Sequence, residues 1–303
     1  MIAQFDSLME LMEAFPDEQA CIDHLRAIRW FNGASCPHCG GVKIYHFSDQ
    51  RTHKCGDCRQ RFSIKVGTIF EDTKLPLRKW FIAMWMITSH KKGIASTQLA
   101  KDLKITQKSA WFVLHRLRHA ARTQSFNAPL EGEIEVDETF VGGKNKNRHA
   151  NKKIEGRGGK GKAVVIGAIE RGGRLVAKVI PTVTIQIAEA FIADTVAGRV
   201  NLVATDDSAV YVKVGDKRPH GKVNHLRGEY VRGRVHTCTI DGYWSQLKRQ
   251  IFGIHHWVSA KHLGRYVDEN SWRYNERETG EGDRVNNLIA RANGHLSYKM
   301  LIA

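Results

Sequence analysis

Two cysteine pairs, Cys36-Pro-His-Cys39 and Cys55-Gly-Asp-Cys58, constrain this chain more than any other feature. Fifteen residues separate Cys39 from Cys55, a spacing that lets two tight turns set four thiolates tetrahedrally around one zinc ion. A single CxxC suits a redox pair equally well; two of them at this distance point to a closed structural site, a zinc ribbon. Val42, Ile44 and His46, then Arg51 to Lys54, have the character of short strands. The segment is too small to build its own core, so metal takes the core's place. Thiols held free for metal point to a reducing, cytoplasmic setting. Cys21 has no cysteine at ligand spacing and belongs in a core.

On either side of the ribbon the pattern is helical. Leu8, Leu11, Met12 and Phe15, then Cys21, Ile22, Leu25 and Ile28, form two helical stripes broken at Pro16-Asp17. Leu75-Pro76-Leu77 opens a further helix, whose stripe of Trp80, Ile82, Met84 and Trp85 is expected in a core. Ser96 to Arg118 has helix-turn-helix character: Leu99, Ala100 and Leu103 face inward, Ile105 sits in the turn, and Thr106 caps a helix carrying Ala110, Val113, Leu114 and Leu117. Lys104 occupies the turn position where glycine is common. Gln107, Lys108, Ser109 and Arg116 are then the exposed candidates for gripping or reading DNA, with an ordinary helical hairpin as the alternative.

The charge balance supports a polyanionic partner. There are 47 Lys and Arg against 31 Asp and Glu, for a net charge of +16. Without an apolar run long enough to span a bilayer, a signal peptide, or an amphipathic basic N-terminal helix, nucleic acid is favoured over a membrane surface.

Against that basic background stands an acidic strand, Glu133 to Gly143, with sequence EIEVDETFVGG. Period-2 alternation turns Glu133, Glu135 and Asp137 to one face. Pairing with Lys or Arg would account for them, but two further acids lie downstream at element ends. Asp206 follows the strand Leu202-Val203-Ala204, with Asp207 adjacent and able to take its place. Asp241 lies near the start of a helix in His236 to Gln250, with Lys248 two turns later on the same face. Between these acids run a polar, glycine-rich basic loop, Lys144 to Lys162, expected to be mobile; a hairpin of Ala163 to Ile169 with Leu175 to Ile180; a helix capped by Thr184; and a strand, Asn201 to Thr205. Three carboxylates converging from two strands and a helix suit two hard divalent cations, Mg²⁺ or Mn²⁺, which activate a water or a 3′-hydroxyl for in-line phosphoryl transfer.

The segments VDETFVGGK (Val136 to Lys144), TDDSAVY (Thr205 to Tyr211) and the run from His236 to Arg277 resemble the ISXO2-like domain of IS1595-family insertion-sequence transposases, a family that also carries an N-terminal zinc ribbon. The resemblance implies a ribonuclease-H-like catalytic fold that cuts and joins transposon ends. Its metal carboxylates fall on Asp137, Asp206 and Asp241, and its basic helix residue on Lys248. Where the family commonly has HTN and then Glu, this chain has Cys238 and Asp241, a ligand one methylene shorter. The ending Arg273-Tyr274-Asn275-Glu276-Arg277 matches too and suits a helix C-terminus. Trp244, Trp257 and Trp272 are expected to pack against the sheet.

The expected whole is an α+β multidomain protein. It comprises a helical lead (1–35), a zinc ribbon (36–66), a helix-turn-helix region (67–128), a ribonuclease-H-like mixed α/β domain (129–280) and a C-terminal tail (281–303). The expected partner is double-stranded DNA, bound by a homo-oligomer. A catalytically inactive DNA-binding regulator and a non-specific nuclease are the alternatives.

Overall fold

The computed structural model describes residues 2–122, 128–143, 145–154 and 159–303. They divide into two compact units, Met1–Ala121 with Glu278–Ala303, and Arg122–Arg277.

In the first unit, helices α1 (Leu8–Ala14) and α2 (Glu18–Arg29) start where the sequence supplies caps. Ser7 Oγ accepts from Glu10 N at 3.1 Å and Asp17 Oδ1 from Ala20 N at 2.9 Å. Cys21 is fully buried, and burial pushes its thiol up to about 12. The ribbon is an antiparallel sheet of β1 (Ile44–His46), β2 (Thr52–Cys55) and β3 (Arg61–Ser63). Its small core of Cys36, Cys55 and Phe62 packs against Trp30 and Ile44. Helix α3 (Leu77–Ser89) buries Trp80, Phe81, Met84 and Trp85, as its stripe predicts, while Ile82 is half-buried.

Helices α4 (Ser96–Leu103) and α5 (Gln107–Ala121) are joined by a three-residue turn. Lys104 takes a left-handed conformation there, φ +48°, where glycine would be unstrained. Thr106 Oγ1 accepts from Ser109 N at 3.1 Å, capping α5. Gln107 and Lys108 are exposed and Ser109 is half-buried. The expectation of an exposed Arg116 is overturned. It shares the inward face of α5 with Val113, Leu117 and Ala120, is 4% exposed, and donates to the carbonyls of Leu296 (2.9 Å), Ile69 (2.9 Å) and Glu71 (2.8 Å). A guanidinium with five fixed donors satisfies backbone carbonyls inside a core, and this one has no face left for phosphate.

Residues 281–303, expected as a tail, instead form α9 (Glu281–Ala290) and α10 (Tyr298–Ile302). Val285, Leu288 and Ile289 are buried, and Ile69 N and Gly294 N bond Ala292 O and Gly67 O at 2.8 and 2.9 Å. The helical spacing of those three apolar residues is the reason.

The second unit is a five-stranded mixed sheet in the order β6-β5-β4-β7-β8. Central β4 (Glu133–Val141) pairs antiparallel with β5 (Ala163–Glu170), which pairs antiparallel with β6 (Leu175–Ile180). On its other side, β4 pairs parallel with β7 (Leu202–Asp206), and β7 with β8 (His220–Val223). Helix α6 (Ile185–Thr195), capped by Thr184, covers the face built from Ile134, Val136, Val164 and Ile166. The opposite face, with Val165, Ile169 and Leu175, packs against α7 (Cys238–Arg249) and α8 (Ala260–Asn275). A short hairpin, β9 (Val231–Arg232) and β10 (Val235–His236), joins β8 to α7.

Trp244 and Trp272 are buried, whereas Trp257, expected to pack, is 71% exposed just past the π-helical turn Gln250–His255. That turn ends α7 and carries the chain outward before α8 begins. Of the basic loop, Lys144 and residues 155–158 lie outside the described residues. The remainder holds two 3₁₀ turns, and the Asn145 amide is bonded twice to Ile154, at 2.7 and 3.0 Å, so its polar side chains supply order where apolar packing is absent. No described helix is long and apolar enough to cross a membrane.

Candidate active site and zinc centre

The four cysteine sulfurs of the ribbon lie within 4.8 Å of one another, the only such set of metal-binding side chains among the described residues. Cys36 and Cys58 stand 3.6 Å apart, as do Cys39 and Cys55. A zinc ion with Zn–S bonds of about 2.3 Å separates tetrahedral sulfurs by about 3.8 Å, so the donor set fits. Main-chain N–H groups prepare the thiolates: His38 N points at Cys36 Sγ (3.4 Å) and Asp57 N at Cys55 Sγ (3.3 Å). The amides of Cys58 and Asp57 pull the Cys55 thiol down to about 7 against the effect of burial.

In the second unit, strand register brings the acids together. β4 and β7 run parallel, with Glu135 opposite Ala204. The paired register ends there; continued two residues along each strand it puts Asp137 and Asp206 on the same face, near enough for the charge of Asp206 to act on Asp137. That face is covered by α7, which carries Asp241 in its first turn. Two of the three carboxylates are shifted. Burial pushes Asp137 up to about 7, reinforced by the charges of Glu138, Asp206 and Asp241 and opposed by a hydrogen bond from Trp244. Asp206 is raised by burial, and the charges of Asp207 and Asp241 act in the same direction. Ser208 N donates to Asp206 Oδ1 at 3.1 Å, and Thr237 Oγ1 to Asp241 Oδ2 at 3.3 Å. Asp207 is exposed and held instead by Asn224 Nδ2 at 3.0 Å, which favours Asp206 as the inward acid. Lys248 lies half-buried in the last turn of α7, two turns from Asp241.

Several contributors were not foreseen. Glu135 is fully buried, and one carboxylate gathers Arg171 Nε (2.8 Å), His236 Nδ1 (3.0 Å), Thr239 Oγ1 (2.9 Å), and the main-chain N–H of Thr239 (2.8 Å) and Ile240 (3.0 Å). It caps α7 and ties that helix to β4. A second tie comes from Trp244, whose Nε1 donates to Asp137 Oδ2 at 2.8 Å. The indole reaches Asp137 because its cross-strand partner is Gly167; a Cβ there would meet the ring at 2.7 Å. The two ties are two strand residues apart on β4, about 6.6 Å, and four to five helical residues apart on α7, about 6–7.5 Å. Asp241 sits between them. Glu138, on the other face of β4, accepts from the Tyr211 hydroxyl and stands close enough to raise Asp137. Glu133, by contrast, is paired with Arg171 and Arg234, the plain role open to all three acids of that face. A glycine inside the β-branched run Val164-Val165-Ile166-Gly167 was the available signal for Trp244; nothing local marked Glu135 as a cap.

Comparison with known proteins follows the same division. Residues 16–61 match a family model described as the transposase zinc-ribbon domain, and residues 129–275 one described as the ISXO2-like transposase domain, both of the IS1595 type. The chain carries an ISXO2-like transposase domain. The chain is 29% identical over 275 residues to an "uncharacterized protein in transposable element ISH50" of Halobacterium salinarum, covering 84% of this chain and 90% of that one. Among solved structures it is similar to the pre-cleavage Mos1 transpososome, with 10% identity, a TM-score of 0.25, and 75% of this chain and 82% of that one covered. The Mos1 strand transfer complex matches at 11% identity and a TM-score of 0.24, over 70% and 81%. Those scores are too low to carry an argument about this fold, which rests on its own strand order.

Proposed function

We propose that this protein is a transposase that binds the ends of its element and catalyses divalent-metal-dependent DNA strand cleavage and strand transfer, with Asp137, Asp206 and Asp241 as the metal carboxylates. The observation carrying this reading is the parallel register that sets Asp137 beside Asp206 under the first turn of α7. A sheet with strand order 3-2-1-4-5, its first three strands antiparallel and the last two parallel to the first, is what the ribonuclease-H-like assignment requires.

Carboxylate oxygens gathered on one face suit Mg²⁺ or Mn²⁺, and bound cations would supply charge neutralisation and a nucleophile at neutral pH. The chain's own groups do the rest. Trp244 orients one oxygen of Asp137, Ser208 N–H orients Asp206, and Thr237 orients Asp241. Glu135 holds α7 at a fixed height over β4. Lys248, on the face of α7 that bears Asp241, contacts the phosphate being transferred. In the first unit the ribbon holds zinc, and the exposed Gln107 and Lys108, with Ser109, meet DNA; Arg116 has no part in it.

The inactive-regulator reading draws on one observation: Asp241 is exposed, engaged by Thr237, and shorter than the glutamate common in the family. One assay separates the two. With DNA carrying the element's ends and Mn²⁺, the unmutated protein should cut, and Asp137→Asn or Asp206→Asn should lower cleavage at least ~10³-fold while end binding persists. Asp241→Glu should keep or raise cleavage. Undiminished cutting by the two Asn variants would remove the triad, and no cutting by the unmutated protein would leave the regulator.

A further inference from the structure

The segment between the second and third carboxylates, residues 207–240, carries seven Lys and Arg against three Asp and Glu. Five of the seven cations are engaged. Lys213 and Lys217 flank Glu189 at 3.8 and 3.7 Å, and Arg218 donates to the carbonyls of Ala197 and Val196. Arg232 pairs with Glu229 at 3.7 Å, and Arg234 with Glu133. Lys222 and Arg227 have no ion pair among the described residues. Both line the same cleft, about 430 Å³ in volume, which begins at Asp207, one residue past Asp206, and runs between β8 and the turn leading to the β9–β10 hairpin.

The cleft is built rather than incidental. Its wall is braced at both ends: Asn224 Nδ2 donates to Asp207 at 3.0 Å and its main-chain N–H donates to the Glu229 carboxylate at 3.2 Å, while Arg232 Nη2 donates to Lys222 O at 2.6 Å. Gly221 lets the hairpin lie against β8, since a Cβ there would meet Val235 at 2.5 Å. Of the charged side chains in the lining, Arg232 pairs with Glu229, and Lys222 and Arg227 outnumber Asp207, whose carboxylate is turned to Asn224, so the balance of charge is positive.

We propose that this cleft binds a phosphodiester of the DNA strand adjacent to the bond presented to the carboxylates, with Lys222 and Arg227 as its cations. The site extends the proposed cleavage site and rests on that reading for its strand, but its binding is independent of chemistry. A phosphate placed there fixes where the chain of phosphates crosses Asp206, and so which phosphodiester is cut. Phosphate contacts position a duplex without reading its sequence, so the cleft would serve any end or target sequence alike.

The test measures binding without added divalent metal, to a duplex carrying the element's end and to a random duplex. Lys222→Gln with Arg227→Gln should reduce the slope of log affinity against log salt by about 1.8, two phosphate contacts at about 0.9 each. Neutral methylphosphonates placed singly along the strand should weaken the unmutated protein at one or two positions beside the cut, and those losses should vanish in the double variant. Should the double variant melt lower than the parent, the exposed Arg227→Gln alone should still reduce the slope by about 0.9. An unchanged slope, or methylphosphonate losses that persist, would overturn the proposal. Displacement of DNA by millimolar ATP or inorganic phosphate with the slope unchanged would also overturn it, giving the cleft to a free anion. Because the assay needs no cutting, absent cleavage counts against the triad and leaves this result intact.

Discussion

The ribbon and the carboxylate site solve the same problem, gathering like ligands, in opposite ways. The ribbon's four sulfurs come from 23 consecutive residues, 36–58, and sit within 4.8 Å of one another. The carboxylates come from positions 137, 206 and 241 and are held less tightly, although the charges of Asp206 and Asp241 reach Asp137. Thiols can crowd together as neutral S–H groups bonded to one another and to main-chain amides. Carboxylates cannot, because burial and the repulsion of neighbouring ionised oxygens both penalise the charge, and Asp137 responds by keeping its proton. A site made by local spacing is therefore closed in advance, whereas one made by sheet topology stays open and needs the rest of the fold to prop it.

Removing one ligand from each tests this contrast most strongly. Cys36→Ser or Cys58→Ser should lose zinc, and with it a contribution on the order of 10 kcal/mol to the ribbon. Hydrogen-exchange protection should disappear across residues 36–63 and persist across 133–206, with metal analysis showing zinc fall from one per chain. Retention of one zinc in both variants would break the comparison from the ribbon side.

The carboxylate site should respond in the reverse sense. Asp137 keeps its proton up to about 7 in the folded chain, against an ordinary 3.8. The folded state therefore binds more protons between those values, and stability falls as pH rises from about 4 to about 7, by on the order of 4 kcal/mol. Asp137→Asn should flatten that loss and raise the melting temperature at pH 8 without added Mg²⁺ or Mn²⁺. Adding Mn²⁺ should restore the unmutated protein and leave the variant unmoved. Identical pH profiles would mean that burial and its neighbours do not hold the proton on Asp137.

The props can be removed next. Glu135→Gln leaves the half-buried His236 without its carboxylate, Arg171 with Glu133 alone and the first turn of α7 with a weaker cap; it should cost about 2–3 kcal/mol in stability while lowering Mn²⁺ affinity, read by calorimetry. Trp244→Phe keeps the ring over Gly167 but removes the N–H to Asp137. It should cost about 1 kcal/mol in stability and weaken Mn²⁺ binding by a few-fold. If both variants bound Mn²⁺ normally, the two ties from β4 to α7 would be structural only.

How much could be read in advance differs between these parts for physical reasons. The alternation of β4 placed Glu133, Glu135 and Asp137 on one face, and the structure keeps them there, yet they do three different things. Glu133 pairs with arginines, Glu135 caps a helix, and Asp137 faces other acids. Periodicity fixes the direction of a side chain relative to its own backbone, but not what arrives opposite it. Arg116 makes the same point from the other side: its helical position predicted a neighbour to Val113 and Leu117, and only the arrival of the segment around Leu296 turned that face into an interior.

The sequence alone determined the ribbon's cysteine spacing, the caps at Thr106 and Thr184, the strands and helices from β4 through β7, and the positions of the acids. Each depends on ligand chemistry, hydrogen bonds or periodicity acting within a few residues. The tertiary structure alone decided that Asp137 stands beside Asp206, that Trp244 and Glu135 hold α7 over them, and that Lys222 and Arg227 are left uncompensated beside Asp207. Those outcomes depend on which charges and donors meet across gaps of tens to more than a hundred residues, and Coulomb and hydrogen-bond energies are set by distance in space, whatever the separation along the chain.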